Sequence, residues 1–157
     1  MKKAALIIAA VFAISAPLAS FAAMEHGSMP MEHGSMMMEQ GMQMMGKPVH
    51  TETVDGVKAM FSVMDIAAKM KAMGMKETHH LMVMFSDAKT GKPLTEGEVK
   101  FKIVAPDNSG QVKSTMAMNG GFGADVNLSA KGRYGILTKC KLADGKVRTF
   151  KFWYTVK

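Results

Sequence analysis

From Val54 onward, apolar and polar residues alternate, and turn-forming residues interrupt them at short intervals. This period of two predicts β-strands. Val57, Ala59, Phe61 and Val63 alternate in a first strand. Leu81, Val83 and Phe85 alternate in a second, which stops at the turn-rich run from Asp87 to Pro93. Val99, Phe101 and Ile103 alternate with Lys100 and Lys102 in a third, closed by Pro106-Asp107-Asn108-Ser109-Gly110. A fourth strand is predicted over 111–118. Asn119-Gly120-Gly121 turns it into a fifth carrying Phe122, Ala124, Val126 and Leu128. A sixth carries Tyr134, Ile136, Thr138 and Cys140, and Asp144-Gly145 predicts a hairpin into a last strand over 147–156. About seven short strands with this spacing predict an all-β domain, an immunoglobulin-like β-sandwich. Leu128 to Tyr134 resembles a tyrosine corner, in which a Tyr opening the sixth strand bonds back to the preceding backbone. Between the first two strands, Asp65–Met75 breaks the alternation. It reads as a short helix capped by Asp65 and ended by Gly74, with Ile66, Met70 and Met73 on one face, or as a loop.

The first half of the chain has a different grammar. Lys2 and Lys3 precede an unbroken apolar stretch from Ala4 to Ile14, and Ser20-Phe21-Ala22 places small residues where a signal peptidase reads. Residues 1–22 are therefore expected to be a secretory signal peptide and the mature protein to be periplasmic. The apolar stretch is shorter than the roughly 20 residues that cross a bilayer, and no later segment rivals it, so no membrane span is expected in the mature chain. Residues 23–50 form a second segment. Met24-Glu25-His26-Gly27-Ser28-Met29 recurs unchanged as Met31-Glu32-His33-Gly34-Ser35-Met36, and Met38-Glu39-Gln40-Gly41-Met42 is a degenerate third copy. Glycine in every copy and Pro30 between two of them oppose a coiled coil, so the expectation is a disordered Met/His-rich tail. The β-domain is assigned to 51–157.

Charge sharpens this division. Formal net charge is +7, and removal of Lys2 and Lys3 leaves +5 (18 basic against 13 acidic residues). Residues 23–46 carry Glu25, Glu32 and Glu39 with no Lys or Arg, a total of −3, so residues 47–157 total +8. A basic domain can attract nucleic acid or an anionic membrane. Here the lysines fall on the polar positions of strands, which reads as a solvated surface, and an exported protein has no nucleic-acid partner to expect. Cys140 is the only cysteine, which excludes an internal disulfide and predicts a buried thiol.

Chemistry is concentrated in methionine and histidine. Eighteen methionines remain after the initiator, far more than a core of this size uses as filler. Thioether sulfur is a soft neutral ligand that suits Cu(I) and Ag(I), and imidazole adds a stronger one that also accepts Cu(II). In each clean repeat His26 with Met29, and His33 with Met36, stand three apart, while Met24 or Met31 lies two residues ahead of its histidine. A flexible chain at that spacing wraps one ion with three side chains. Met24, His26, Met29, Met31, His33, Met36, Met38 and Met42 are the candidate ligands of the tail. On the domain, if Leu81, Val83 and Phe85 face the core, then His80, Met82 and Met84 face the other way as a row of exposed residues, with Met60 and Met64 on the same side of the first strand. His80, Met82 and Met84 are a second candidate site. Met116 and Met118 can join it, although their strand has ambiguous parity and core packing suits them equally. His79 reads as a solvated strand entry and Trp153 as core or edge packing. No Gly-x-Ser-x-Gly elbow, phosphate loop or plausible acid pair is present, so an enzyme is not expected.

Thr78-His79-His80-Leu81-Met82-Val83, Asp87 to Pro93, Gly121-Phe122-Gly123-Ala124-Asp125, Lys131-Gly132-Arg133-Tyr134-Gly135 and Lys151-Phe152-Trp153-Tyr154 together resemble exported YtkA-like domains. That resemblance implies a small immunoglobulin-like sandwich, related to CopC-type sandwiches that bind copper in the periplasm. The repeat separately resembles the Met/His motifs of SilE-type silver- and copper-binding proteins. The function expected is periplasmic binding of a soft metal, Cu(I) or Ag(I), for sequestration, tolerance or delivery, with a metal exporter or oxidase-assembly protein as possible partner. The alternative is a non-metal interaction or assembly module that uses a methionine-rich surface.

Overall fold

The computed structural model describes residues 47–157. The signal segment and the tail ligands Met24, His26, Met29, Met31, His33, Met36, Met38 and Met42 lie outside the described residues. The domain is a sandwich of two antiparallel sheets built from ten strands: β1 (Pro48–Val54), β2 (Val57–Asp65), β3 (His79–Asp87), β4 (Pro93–Leu94), β5 (Gly97–Val104), β6 (Gly110–Ser114), β7 (Met116–Met118), β8 (Gly121–Val126), β9 (Gly132–Leu142) and β10 (Val147–Val156). One sheet runs β1-β2-β3-β8-β7 with β4 paired to the end of β3, and the other runs β10-β9-β5-β6. The chain changes sheet between β4 and β5, between β6 and β7, and between β8 and β9.

The alternating residues meet between the sheets as expected. Phe61, Leu81, Val83 and Phe85 from one layer pack with Phe101, Ile103, Tyr134, Ile136 and Phe150 from the other. Phe150 lies with its ring centroid 5.6 Å from Phe85 and 6.3 Å from Phe61, in the tilted and edge-on geometries aromatic pairs prefer. Cys140 is buried among them, and burial pushes its thiol pKa up. The tyrosine corner is formed: Tyr134 Oη donates to the Ala130 carbonyl at 2.9 Å and accepts from Ala130 N–H at 3.0 Å.

Four features depart from the sequence reading. First, β1 begins at Pro48, so the domain boundary placed at 51 falls inside a strand. Asp55-Gly56, with φ of 46° and 74°, forms the two-residue turn that pairs β1 with β2. This Asp-Gly step is a hairpin signal of the favoured kind, and β1 escaped notice because its exposed residues carry no apolar alternation. Second, the single strand predicted over 111–118 is two strands in different sheets. The chain crosses over at Thr115, whose N–H and hydroxyl both bond the Val99 carbonyl, and this crossover is the source of the ambiguous parity. Third, Trp153 is exposed at 62% on the outer face of the edge strand, its ring over Gly135, and not in the core, because β10 alternates in strict register with β9 and Phe150 and Phe152 occupy its inward positions. Fourth, His79 is buried at the end of the inward face, its Nδ1 2.8 Å from the Thr78 hydroxyl.

The segment after β2 does form a helix, α1 (Ala67–Ala72). Asp65 Oδ1 accepts from Ala67 N–H at 2.8 Å at its start, and Gly74 takes φ +73° beyond its end. Met70 is buried beneath it, whereas Met73 is exposed.

Candidate metal centre on the outer face of the first sheet

Parity places His80, Met82 and Met84 on the face of β3 turned away from the main core, as the alternation requires. They are not an exposed row, however. Met82 and Met84 are each only 1% exposed and form a small apolar cluster of their own with Met118. The reason is cross-strand register. Met84 stands opposite Met60, Met82 opposite Ser62, and His80 opposite Met64. On the other side, Met82 faces Gly123 and His80 faces Asp125 of β8. Beyond β8, Met116 stands opposite Gly123 and Met118 opposite Gly121.

Directly opposed residues of an antiparallel pair share a face, so Gly121 and Gly123 form the floor of a trough with methionines on both sides. The glycines are needed there. A Cβ at Gly123 would stand 2.8 Å from His80 Nε2 and 3.1 Å from Met82 Cγ, and one at Gly121 would stand 3.0 Å from Met84 Cγ. His80 Nε2 and the Met82 side chain therefore crowd the same point above β8. Glycine within a strand marks this kind of close approach. The spacing Gly121-Phe122-Gly123 was the available sequence signal for the trough, with Phe122 turned into the core between them.

His80 is oriented. Its Nδ1 lies 2.5 Å from Asp125 Oδ1, with the imidazole side chain 14% and the carboxylate 34% exposed. A neutral imidazole that donates from Nδ1 to a carboxylate keeps its lone pair on Nε2. This is the arrangement by which a metal-ligating histidine is held in one tautomer and one orientation. Asp125, separated from His80 by 45 residues, was not anticipated from the sequence. His79 differs in each respect. Thr78 Oγ1 accepts from Leu128 N–H at 2.8 Å, so its hydroxyl proton is left to donate to His79 Nδ1. Burial, partly opposed by the charge of Asp65, lowers the His79 pKa. His79 serves as a neutral structural histidine tying β3 to the end of β8.

Among the described residues, no three His, Cys, Asp or Glu side chains come together in a way that would hold a metal ion. The ligands gathered here are one imidazole and several thioethers. Such a set fits a soft monovalent ion and is poor for Mg, Ca or Zn, which want hard oxygens, thiolates or several imidazoles. Ser62, in the same row as Met82, is fully buried with its hydroxyl unpaired. Met116 is the open wall of the trough at 68% exposed, and Met64 is half-buried at the His80 end.

The sequence matches no protein-family model, and no curated protein matches it. Solved structures do share the fold. FetP of uropathogenic Escherichia coli strain F11 superimposes with a TM-score of 0.51 at 13% identity, covering 69% of this chain and 94% of that one. A copper-bound variant of FetP superimposes with a TM-score of 0.55 at 13% identity, covering 69% and 89%. A DUF4426 family protein of Pseudomonas aeruginosa PAO1 gives 0.52 at 14% identity, covering 68% and 96%. At such identities the likeness establishes the architecture alone, an all-β antiparallel sandwich. No helix among the described residues is long and apolar enough to cross a membrane.

Proposed function

We propose that this chain is an exported soft-metal binding protein of the periplasm, in which the domain holds one Cu(I) or Ag(I) ion through His80 Nε2, Met82 and Met84. The observation that carries this reading is the convergence of His80 Nε2 and the Met82 side chain over Gly123, with Asp125 holding the imidazole from behind. Met60, Met64, Met116 and Met118 surround these ligands and supply alternative thioethers, so an ion exchanges along the trough without being released to water. Burial of the trough excludes water and with it the hard ligands that favour divalent ions. The tail residues Met24, His26, Met29, Met31, His33, Met36, Met38 and Met42 add several weaker sites that capture the ion. The protein acts by binding and handing over, not by catalysis, and its role is sequestration, tolerance or delivery to a metal exporter or oxidase-assembly protein.

Three likenesses support the reading without establishing it. The YtkA-like motifs resemble sandwiches related to the copper-binding CopC type, the repeat resembles SilE-type silver- and copper-binding segments, and a variant of the structurally similar FetP is described as copper-bound.

The test is a titration of the mature protein with Cu(I) against a chromogenic chelator, beside a version starting at Lys47. The shorter version keeps the whole core, which begins at Val57. It is expected to retain one tight site, and the full mature chain to bind additional, weaker ions. Replacing both Met82→Leu and Met84→Leu in the shorter version keeps volume and costs the fold less than about 1.5 kcal/mol per site. The tight site is expected to disappear. Unchanged stoichiometry and affinity in that variant would remove the domain site, and failure of both parent forms to compete for copper would sink the metal reading altogether in favour of an interaction module.

A further inference from the structure

The outer face of the second sheet is strongly basic across β5, β9 and β10. Lys100 and Lys102 of β5 and Arg133, Lys139 and Lys141 of β9, with Lys151 of β10, all point outward and are exposed. The one carboxylate projecting outward from these strands is Glu98, opposite Lys141, while at the edge Glu52 of β1 accepts from Lys151 N–H at 3.0 Å. None of the six cations makes an ion pair with another described residue. Lys100 stands directly opposite Lys139, a like-charge pairing that destabilises a sheet. A shallow basin of about 270 Å³ opens between Glu98, Lys100, Lys139, Lys141 and Val147.

Apolar side chains accompany the charges. Trp153, Val147 and Val112 are exposed at 62%, 55% and 65% and stand on the outer strands of the same face. The Trp153 ring lies across Gly135, where a Cβ would come within 3.1 Å of it, and Arg133 Cζ sits 4.4 Å from its centroid. The indole is thus held against the sheet beside a cation. A flat surface with six cations, one acid and a rim tryptophan suits a planar polyanion whose boundary is part polar and part apolar. Tryptophan beside Lys and Arg is the signature of side chains at the lipid headgroup level. An acidic protein would call for a shaped apolar centre, and this face offers only a single half-buried Leu137, flanked by Lys102 and Lys151.

We propose that this face docks the protein on an anionic phospholipid surface, with headgroup phosphates seated among Lys100, Lys139 and Lys141 and Trp153 at the headgroup level. The proposal is independent of the metal reading, because the trough lies on the outer face of the other sheet. The two faces point in opposite directions, which leaves the exposed wall of the trough at Met116 turned away from the membrane while the protein is docked.

Trp153 is the only tryptophan, so its emission reports this face alone. The metal-free mature protein is sedimented with vesicles of phosphatidylglycerol and phosphatidylcholine mixed, and with phosphatidylcholine alone, while Trp153 emission is followed. Expected are binding to the mixed vesicles only, a blue shift, and loss of both as salt is raised. The variant with Lys100→Gln, Lys139→Gln and Lys141→Gln is expected to partition roughly a hundredfold more weakly, at about 1 kcal/mol per lysine near an anionic surface. A control with Lys58→Gln, Lys89→Gln and Lys92→Gln is expected to bind like the parent. Circular dichroism checks that both variants fold. Equal binding to phosphatidylcholine, parent-like binding by the first variant, or displacement by equimolar polyglutamate or inorganic phosphate would each overturn the membrane assignment.

Discussion

The substitution Gly123→Ala tests the trough most directly, because the added methyl has a defined collision. The Cβ would lie 2.8 Å from His80 Nε2 and 3.1 Å from both His80 Cε1 and Met82 Cγ. Ordinary contact begins at 3.4 Å, so the imidazole must retreat by about 0.6 Å (3.4 less 2.8). All three obstructing atoms belong to side chains, which can move without shifting a strand. Alanine in a strand gains about 0.5–1 kcal/mol over glycine in backbone entropy, and overpacking costs about 1–3 kcal/mol. The first offsets part of the second, and the net loss of stability is about 0–2.5 kcal/mol. Metal binding has no such compensation. The methyl occupies the point on which His80 Nε2 and Met82 converge and strains the bond from His80 Nδ1 to Asp125. Disturbing a ligand's supporting hydrogen bond costs about 10–100-fold in metal affinity, equivalent to about 1.4–2.7 kcal/mol.

The neighbouring substitution Gly121→Ala provides the contrast. Its Cβ would stand 2.6 Å from the backbone oxygen of Val83, which cannot move without displacing β3. The expected loss is about 3 kcal/mol of stability, some 12 °C or more in melting temperature for a domain of this size. Thermal melts and Cu(I) competition on both variants, each in the version starting at Lys47, read the two effects separately. If Gly123→Ala binds Cu(I) with unchanged affinity, His80 and Met82 are not the ligands. If Gly121→Ala melts with the parent, the packing of β8 on β3 has been misjudged.

Asp125→Asn is expected to keep the fold and weaken Cu(I) binding about 10–100-fold, because the amide no longer draws the Nδ1 proton and fixes the tautomer; chelator competition at constant pH reads it, and an unchanged constant would remove Asp125 from the site. Tyr134→Phe deletes both bonds to Ala130 in the corner before β9 and is expected to cost about 1–3 kcal/mol in urea unfolding. Arg148, buried opposite Cys140 near the other end of the β9–β10 pair, holds the Asp144 carboxylate at 2.6 Å and lowers its pKa from 3.8 to about 2. A depressed carboxylate contributes stability that is present above its ordinary pKa and lost as pH falls toward the lowered one. Asp144→Asn should therefore flatten the decline in stability between pH 4 and pH 2, and identical acid melts would contradict the pairing. Cys140 is 1% exposed with a raised pKa, so thiol reagents should label it only in denaturant; rapid labelling of the native protein would show that the sandwich opens there.

Much of the sandwich was legible because its signals are local. Alternation at Val57–Val63 and Leu81–Phe85 determined which side of each strand is apolar, and Asn119-Gly120 and Asp144-Gly145 marked turns through residues that tolerate positive φ. The same alternation placed His80, Met82 and Met84 together on one face. It carried no information about what stands beside that face, because cross-strand neighbours depend on register between segments far apart in the chain. Only the tertiary structure set Gly121, Gly123 and Asp125 against them, buried Met82 and Met84 that the strand pattern left in solvent, and sent 111–118 into two sheets at Thr115. It also turned scattered lysines, each an ordinary solvated strand position in the sequence, into a single basic face on β5, β9 and β10. Period two specifies a side for each residue; pairing between strands, which minimises exposed backbone and apolar area across the whole domain, decides which residues share it.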